Sequence, residues 1–394
     1  MIAKKIKSFL KTFLAFMQWE VGGGIRSILN HRNEKRKYKN KKRVEIYSKI
    51  SLTREQKNKI DNFYKENYGK KVPHIWHRHF MAFTGNFDEK YIPELLYIPE
   101  FEAYMNLNKP YNFVCSDKNV LQYFAQSAGV RIPETIISCT KGIFRDEQNQ
   151  FIDKKEVLEI LCNIGKVFIK PSVNTGSGVN CFVIDVSEGT DIISGKKMDD
   201  IIKEMGQDFV VQKLIKCHKS ITNIYSGSVN TFRVISYLWN GEVRLLPAIM
   251  RIGRGGNFVD NAHAGGMFIA VDDDGTLHKT AFTEFKNEYE SHPDTNLKYE
   301  GYRIELFPEV LSAAKRMHEI IPQIGVVNWD FTIDEDGQPV LIEINISGGS
   351  VWLSQMAHGK GAFGEYTAEV LQWMAQMRKL SYFEKRKYAY GKMK

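Results

Sequence analysis

An acidic β-hairpin near the C-terminus, between Asn328 and Asn345, restricts the fold more than any other segment of the 394-residue chain. Its sequence is NWDFTIDEDGQPVLIEIN, in which two β-rich runs flank Asp336-Gly337. An Asp-Gly pair between such runs is a strong signal for a two-residue turn, because both turn residues need a positive φ. In the register that this turn sets, Asp330 lies directly opposite Glu343. The sequence therefore predicts an antiparallel strand pair with two facing carboxylates.

The two faces of this hairpin differ in polarity, because side chains alternate along a strand. One face is predicted to be apolar: Phe331, Ile333, Val340, Ile342 and Ile344. The other is polar: Asp330, Thr332, Glu343 and Asn345. Two facing carboxylates repel each other, so this face either lies in bulk water or surrounds a cation. Carboxylate and amide oxygens are ligands that Mg²⁺ prefers, but spacing alone leaves both interpretations open.

A glycine-rich loop between two further β-rich runs lies upstream, in residues 166–184 (KVFIKPSVNTGSGVNCFVI). Gly176 and Gly178 allow backbone N–H groups to approach phosphate oxygens, and Lys170 at the end of the first run is placed to reach the same anion. The loop has neither the GxxxxGK[ST] pattern of a P-loop nor the strand–GxGxxG–helix pattern of a dinucleotide-binding fold. By itself it predicts only a hairpin able to hold an anion.

A second hairpin is predicted in VNTFRVISYLWNGEVRLLPAIMRIGRGG, with its turn at Asn240-Gly241. It carries Arg233 and Arg251, which an ideal register places on opposite faces of the strand pair. Pro247 lacks a backbone N–H and is compatible with a bulge that would change this relation. The sequence leaves both arrangements open.

The net charge of +9 is concentrated at the N-terminus, where residues 1–45 hold 13 Lys or Arg and three Glu. The rest of the chain is nearly neutral, so no nucleic-acid partner is expected. Residues 1–17 have apolar positions at helical spacing with lysines between them, a pattern too short to span a bilayer. Residues 1–43 are thus interpreted either as an arm on the inner membrane surface or as a packed helix followed by a solvated basic linker. Five dispersed cysteines without a CxxC pair favour free thiols and a cytoplasmic location.

Taken in chain order, these segments resemble the ATP-grasp superfamily, and within it the sugar-transfer-associated ATP-grasp proteins found with bacterial surface-polysaccharide genes. The similarity starts around His77 and runs from Asp117 to about Gln355. Its motifs are SDKNVLQYFAQSAGVRIPET, the NTGSG loop, QKLI, SVNTFRV, DNAHAGG, HPDT and WDFTI…LIEIN.

The resemblance implies an α+β fold in which two subdomains clamp ATP. The implied divisions are a basic amphipathic arm and linker (1–45), a pre-grasp region (46–115), a small subdomain (116–215) and a large subdomain with the metal site (216–394). It also implies an ATP- and Mg²⁺-dependent ligase that joins a small or glycan-linked carboxylate to an amine through an acylphosphate. Two alternatives are a kinase that phosphorylates a sugar or other hydroxyl, and a non-catalytic ATP-binding component of a membrane-associated assembly machine.

The resemblance assigns roles to individual residues. The ATP-binding residues that it implies are Lys118, Lys170, Ser172, Thr175, Gly176, Ser177, Gly178, Gln212, Lys213, Leu214 and Ile215. The implied magnesium ligands are Asp330, Glu343 and Asn345. The implied catalytic residues are Arg233, Arg251, Asn261 and His263.

Overall fold

The structure is a computed structural model that describes residues 13–14, 17–173, 180–256, 260, 265–388 and 390–391. Two antiparallel sheets and a set of helices make up the chain, which confirms the predicted α+β class. None of the described helices combines the length and the apolar character needed to cross a bilayer.

The smaller sheet has the strand order β3-β2-β1-β7-β4-β5-β6. Its strands are β1 (Thr135–Thr140), β2 (Ile143–Arg145), β3 (Phe151–Ile152), β4 (Lys166–Pro171), β5 (Phe182–Ser187), β6 (Thr190–Asp191) and β7 (Phe209–Lys213). Helices Lys154–Ile164 and Met198–Met205 pack on this sheet, and each buries an apolar stripe at helical spacing against strand residues such as Ile137 and Ile169. This sheet therefore has its own hydrophobic core.

The larger sheet has the order β13-β12-β11-β10-β8-β14-β15, with β9 paired to β8. Its strands are β8 (Thr231–Trp239), β9 (Glu242–Leu245), β10 (Ile249–Ile252), β11 (Met267–Ala270), β12 (Ala281–Phe282), β13 (Glu288–Tyr289), β14 (Val326–Ile333) and β15 (Pro339–Asn345). Helix Phe307–Ile320 covers one face, where the ring of Phe307 lies 4.8 Å from that of Phe232. Helix Lys118–Ser127 contributes to the same core and also contacts β1 and β7, so it bridges the two sheets.

Helices from both ends of the chain cover the other face of the larger sheet. They are Lys41–Ser48, Arg54–Tyr68, Ile75–Thr84, Glu94–Leu96, Ala103–Met105, Trp352–His358 and Thr367–Met377. Helix Gly22–Lys37 packs on Glu94–Leu96, helix Lys109–Ser116 contacts helix Lys118–Ser127 and β15, and helix Tyr382–Lys385 contacts the π-helical stretch Met17–Val21. A short helix, Lys219–Thr222, follows β7. A π-helical stretch, Tyr97–Glu102, joins two of the short helices at Pro99, whose missing N–H prevents regular α-helical bonding. The N-terminal region thus shares its core with the larger sheet.

The basic run of residues 32–43, predicted as a solvated linker in one interpretation, is mostly helical. Tyr38 is 2% exposed and Arg43 is 6% exposed. The Arg43 guanidinium donates to Glu284 Oε1 at 2.7 Å and lies over the Trp352 ring. The linker prediction is therefore wrong at these positions, because burying an aromatic ring and a paired guanidinium favours a packed segment. Of residues 1–17, only Phe13, Leu14 and Met17 are described, and all three are exposed.

Candidate active site between the two sheets

The acidic hairpin forms as an antiparallel pair, β14 with β15, at the edge of the larger sheet. Asp330 lies opposite Glu343, as predicted. The turn is not the predicted two-residue turn: Ile333 pairs with Pro339, and Gly337 closes a longer loop with φ +80°. A bulge at Ile342 then adds one residue to β15 and restores the predicted pairing at Asp330.

The bulge also changes which side chains form the apolar face. Leu341 pairs with Phe331 and is completely buried in the core of the larger sheet. Val340 and Ile342, predicted to belong to this face, are not part of that core. The prediction is wrong for these two residues, because an extra residue in one strand reverses the facing of all side chains beyond it.

The second hairpin brings the two arginines together. Its turn is the predicted one, with positive φ at Asn240 and Gly241. Beyond Pro247 the register shifts by one residue, so that Ile249 pairs with Arg233 and Arg251 pairs with Thr231. An interval of two along the strand puts both guanidinium groups on one face. The irregularity that the sequence left open is therefore present.

Both guanidinium groups bind Asp330. Arg233 Nε donates to Oδ1, and its Nη2 donates to Oδ2 at 3.0 Å. Arg251 Nη2 lies 3.0 Å from Oδ2, and the Asn345 amide donates to the same oxygen at 3.3 Å. Asp330 is only 2% exposed. Burial alone would raise the pKa of this carboxyl group, but the two arginines outweigh burial and lower it.

Arg251 also reaches a second buried acid through Thr231. Its Nη2 donates to Thr231 Oγ1 at 2.7 Å, and Thr231 Oγ1 donates to Asp260 Oδ2. Burial raises the pKa of Asp260. Burial opposes the charge of Arg251, yet Asp260 and Asp330 together raise the pKa of its guanidinium. Asp260 belongs to the DNAHAGG motif and Thr231 to the SVNTFRV motif, but no role was predicted for the Thr231 side chain, which only its place beside Arg251 in the sheet identifies.

Two lysines from the side of the smaller sheet face the acidic hairpin. Lys118 begins helix Lys118–Ser127, and its Nζ lies 3.1 Å from Glu343 Oε1. Lys170, near the end of β4, donates from Nζ to the carbonyl oxygen of Ile342 at 3.5 Å. That carbonyl belongs to the bulge residue, whose backbone is not fully used in the strand ladder. The two lysines, the bulge and Glu343 therefore form one cluster.

The surroundings of Lys170 lower the pKa of its ammonium group. Burial and the neighbouring charge of Lys118 lower the pKa of Lys170 to about 8, although Glu343 acts in the opposite direction. A buried ammonium group with little compensation is a ready partner for an anion. An arriving phosphate would supply the missing negative charge.

The predicted adenine-binding segment follows β7. The Gln212 side chain is buried and donates to the Pro133 carbonyl and to Thr135 Oγ1, both at 3.2 Å. Lys213 Nζ pairs with Glu134 Oε1 at 2.6 Å, while Leu214 is 41% exposed and Ile215 is half-buried. The Gln212 amide nitrogen and the Lys213 ammonium group are thus engaged by residues at the smaller sheet, whereas Gln212 Oε1 is buried without a hydrogen-bond partner among the described residues.

Several predicted residues lie outside the described part of the chain. They are Thr175, Gly176, Ser177, Gly178, Asn261 and His263. Ser172 is described and fully buried. Its backbone N–H donates to the Asp208 carbonyl at 3.0 Å, and its carbonyl accepts from the Lys118 N–H at 3.0 Å. Ser172 therefore links the start of the Lys118 helix to the end of β4.

Sequence reasoning missed two buried acids that hold the loop after β15. Glu102 accepts the N–H groups of Gly348 and Gly349 at 2.8 and 2.7 Å. Glu94 accepts from Val351 N at 3.1 Å and from the Ser350 hydroxyl at 2.9 Å. Burial raises the pKa of Glu94 to about 8. The only signal in the sequence is three glutamates, Glu94, Glu100 and Glu102, inside an otherwise apolar segment, and this does not identify a partner.

The chemistry of the acidic face fits magnesium. Asp330, Glu343 and Asn345 present two carboxylates and one amide on one face of adjacent strands, and all three are hard oxygen ligands. The surrounding arginines and lysines pair with these acids and also offer partners for the phosphates that usually accompany Mg²⁺. The residues present therefore suit a magnesium–phosphate complex.

Comparison with known proteins identifies the superfamily of the chain and the family to which it belongs within that superfamily. The motifs and the two-sheet architecture define an ATP-grasp protein, and a model of the sugar-transfer associated ATP-grasp family matches residues 99–370. The chain belongs to this family, which confirms the resemblance predicted from its motifs. No curated protein matches the chain in sequence.

Solved structures similar to the chain include three ligases. D-Alanine–D-alanine ligase from Bacillus anthracis is 16% identical over 70% of this chain and 69% of its own, with a TM-score of 0.37. VanG D-Ala:D-Ser ligase from Enterococcus faecalis is 13% identical over 67% and 61%, with a TM-score of 0.39. L-Amino acid ligase from Bacillus licheniformis is 14% identical over 66% and 48%, with a TM-score of 0.36. The chain thus spans about half the length of the last of these relatives.

Proposed function

We propose that this protein is an ATP-dependent ligase that joins a carboxylate to an amine and releases ADP and inorganic phosphate. The observation that carries the proposal is the meeting of four cationic side chains with one acidic hairpin: Lys118, Lys170, Arg233 and Arg251. Family membership supports the use of ATP. Phosphoryl transfer depends mainly on positioning and on neutralising charge, and this cluster supplies both.

The proposed reaction has two steps. A substrate carboxylate oxygen attacks the γ-phosphorus, the bond from that phosphorus to the ADP oxygen breaks, and an acylphosphate forms. The amine nitrogen then attacks the acyl carbon, loses a proton, and inorganic phosphate leaves. Lys118 and Lys170 would hold the phosphates, while Arg233 and Arg251 would stabilise the negative charge that develops on the transferred group.

Asp330, Glu343 and Asn345 would hold magnesium. When bound, the ion neutralises phosphate charge and orients the phosphate oxygens. Arg233 and Arg251 keep Asp330 ionised through the low pKa described above, so this ligand needs no deprotonation at neutral pH.

The loop after β15 is our proposed acceptor site. It follows the acidic strand directly, and Glu102 and Glu94 fix its backbone from the opposite side. Because those bonds occupy the N–H groups of Gly348, Gly349 and Val351, the Ser347 side chain and the loop carbonyls are the groups left for an amine substrate.

The test is an assay of products from a matrix of carboxylates and amines, including amino acids, sugar acids and amino sugars. We expect ADP and free phosphate only when a carboxylate and an amine are both present, together with a mass increase equal to their condensation. Phosphate retained on a hydroxyl acceptor would instead identify a kinase. ATP binding without turnover of any pair would favour a non-catalytic component.

We also propose that the protein acts in the cytoplasm at the inner membrane surface, in the synthesis of a surface polysaccharide. The family description supports the sugar-related role. Ile25, Ile28 and Leu29 lie on one face of helix Gly22–Lys37 and are 54, 56 and 52% exposed. Exposed Arg32 and Arg36 continue the same face, and this combination of apolar and basic side chains suits an anionic bilayer surface.

A further inference from the structure

A second group of possible metal ligands lies away from the acidic hairpin. One side-chain atom each of Asp272, His278 and His358 forms a set in which all three atoms lie within 4.8 Å of one another. No other group of three His, Cys, Asp or Glu side chains in the described residues meets this condition. Nothing in the reaction proposed above uses these residues.

A tight hairpin presents two of the three side chains. Val271 pairs with Leu277, and the His278 N–H donates to the Ala270 carbonyl at 3.0 Å. Asp272 and His278 therefore point to the same face of the hairpin, as diagonal neighbours. His278 Nε2 lies 3.1 Å from Asp272 Oδ1. The two atoms share a hydrogen bond in this structure. Ligands of a tetrahedral zinc ion are about 3.3 Å apart, so a zinc ion would replace the shared proton with little movement of either side chain.

The third side chain, His358, has a buried ring nitrogen, Nδ1, without a hydrogen-bond partner among the described residues. It ends helix Trp352–His358 and is 7% exposed. Its Nε2 lies 2.7 Å from the Ala248 carbonyl and must donate the ring proton there. Nδ1 therefore carries a lone pair, yet it is buried and has no hydrogen-bond partner among the described residues. A carbonyl that fixes the tautomer of a histidine is the usual support of a metal ligand.

We propose that Asp272, His278 and His358 bind a divalent transition metal of the zinc type. Two imidazoles and one carboxylate form a ligand set suited to zinc, and three protein ligands leave at least one further position. Asp272 and His358 also line a cavity of about 780 Å³, which gives water or a small oxygen ligand access to that position. The ion joins the last turn of the Trp352–His358 helix to the hairpin that follows β11.

The site is distinct from the acidic hairpin. Arg251 pairs with Phe268 in β11, and Asp272 lies four residues further along the chain. Four residues of extended chain span about 13 Å. Its ligands also differ in kind, because imidazole nitrogens favour zinc over magnesium.

The test uses the full chain without a histidine tag, stripped with a chelator and kept in excess Mg²⁺. Zn²⁺ is titrated against a competing fluorescent indicator. We expect one zinc ion that depends on this cluster, with affinity at least tenfold weaker in His278→Gln and in Asp272→Asn. Both replaced side chains are partly exposed, so the variants should fold, and circular dichroism checks this.

Asp273→Asn is the matched control, because Asp273 lines the same cavity but is not in the cluster. It should bind zinc like the wild type, and zinc should raise Tm for both proteins but not for His278→Gln. The proposal is overturned if the wild type does not compete for zinc, or if both ligand variants bind zinc as tightly as the wild type. Neither readout depends on ATP turnover.

Discussion

Asp330 pairs with both Arg233 and Arg251, so its replacement would affect stability as well as metal binding. Replacing it with Asn leaves two guanidinium groups without their anion in a buried site. Breaking a buried ion pair in this way costs about 3–5 kcal/mol of unfolding free energy. Loss of activity in Asp330→Asn would therefore mix two effects, and Glu343 is the better residue to replace.

Glu343→Gln should lower Mg²⁺-dependent ATP turnover by about 100-fold or more, because it removes one anionic ligand from the proposed magnesium site. The fold should be retained, since the amide oxygen can still accept from Lys118 and the Glu343 side chain is 26% exposed. Steady-state kinetics and thermal unfolding measure both effects. Glu335→Gln changes an exposed acid at the turn of the same hairpin and should leave turnover unchanged. Equal activity in Glu343→Gln and the wild type would remove Glu343 from the metal site.

Lys170 predicts a pH dependence of ATP binding. In the free protein its pKa is about 8, below the ordinary value for lysine. Because triphosphate favours the charged form, the Kd for ATP should rise as pH increases through 8, by up to tenfold per unit. Lys170→Arg keeps its charge at every pH and should flatten this dependence, whereas Lys170→Met should bind ATP weakly throughout. An identical pH dependence in wild type and Lys170→Arg would show that another group titrates.

The same residue should affect stability. The unfolded chain holds the Lys170 proton up to the ordinary lysine pKa, whereas the folded chain releases it near pH 8. The unfolded state therefore binds more protons between these values, and the free energy of unfolding should gain a positive contribution as pH rises through that interval. Denaturant unfolding of wild type and Lys170→Met across this range measures it.

At the scale of single residues, the sequence identified the facing acids but not their partners. The pairing of Asp330 with Glu343 follows from local strand geometry. That Lys118 would reach Glu343 follows from no periodicity, since the two are far apart in the chain, and only the family resemblance placed them together. Thr231 lies in the SVNTFRV motif without an assigned role, and nothing in the sequence identifies the partners of Glu94 and Glu102. Long-range polar contacts are specified by tertiary structure, which a local pattern does not contain.

At the scale of elements, the acidic hairpin has the predicted pairing at Asp330 and Glu343, although two unpredicted irregularities produce it. The longer loop at Gly337 shifts the pairing by one residue, and the bulge at Ile342 shifts it back. The two shifts cancel at Asp330, which lies beyond the bulge. Val340 lies between the loop and the bulge, so its pairing stays shifted by one residue. Bulges are difficult to predict, because they depend on what the strand contacts, here the Lys170 ammonium group at the Ile342 carbonyl.

The loop after β15 gives a prediction about substrate binding. Glu102→Gln replaces one of the two backbone acceptors with an amide NH₂ group, so one of the Gly348 and Gly349 bonds is lost. We expect the loop to loosen, KM for the amine to rise about tenfold, and the Kd for ATP to stay unchanged, because the four cations are not affected. A parallel loss of ATP affinity would show that Glu102 acts on the whole site rather than on this loop.

The exposed face of helix Gly22–Lys37 gives a prediction about membranes. Ile28→Glu with Leu29→Glu should abolish flotation with anionic vesicles, because it places two charges where apolar side chains would enter the bilayer. Ile192→Glu with Ile193→Glu is the matched control, since these residues lie in the turn after β6 and are similarly exposed. Neutral vesicles should bind the wild type weakly, as the basic residues need anionic lipid. Flotation that is unaffected by the helix substitutions would assign membrane contact to another surface.

At the scale of the whole molecule, the N-terminal region is part of the structure that supports the site. Tyr38 and helices Lys41–Ser48 and Ile75–Thr84 share a core with the larger sheet and with helix Trp352–His358. Composition indicated a charged arm, because Lys and Arg dominate the segment, but composition does not show that Tyr38 is buried. The two sheets, their antiparallel hairpins and the site between them were predictable from the sequence. The packing of Tyr38 and the helices that follow it on the larger sheet was not.

Truncation tests whether the N-terminal helices stabilise the fold. Deleting residues 1–43 removes Tyr38 and Arg43 from the core. Loss of a buried aromatic side chain alone costs about 3–5 kcal/mol, so this deletion should lower Tm by many degrees or prevent folding. Thermal unfolding of the truncated and the full-length protein tests this. An unchanged Tm in the truncated protein would show that the N-terminal helices contribute nothing to stability.

The ion pairs between Lys118 and Glu343, and between Asp330 and the two arginines, mean that three of the four cations are already paired with the acids of the site. A triphosphate entering alone must draw the cations away from the acids, and a magnesium ion entering alone must draw the acids away from the cations. Arriving together, each compensates the group that the other has displaced. Nucleotide and metal should therefore reinforce each other's binding thermodynamically, so that the protein responds to the concentration of their complex rather than to either component.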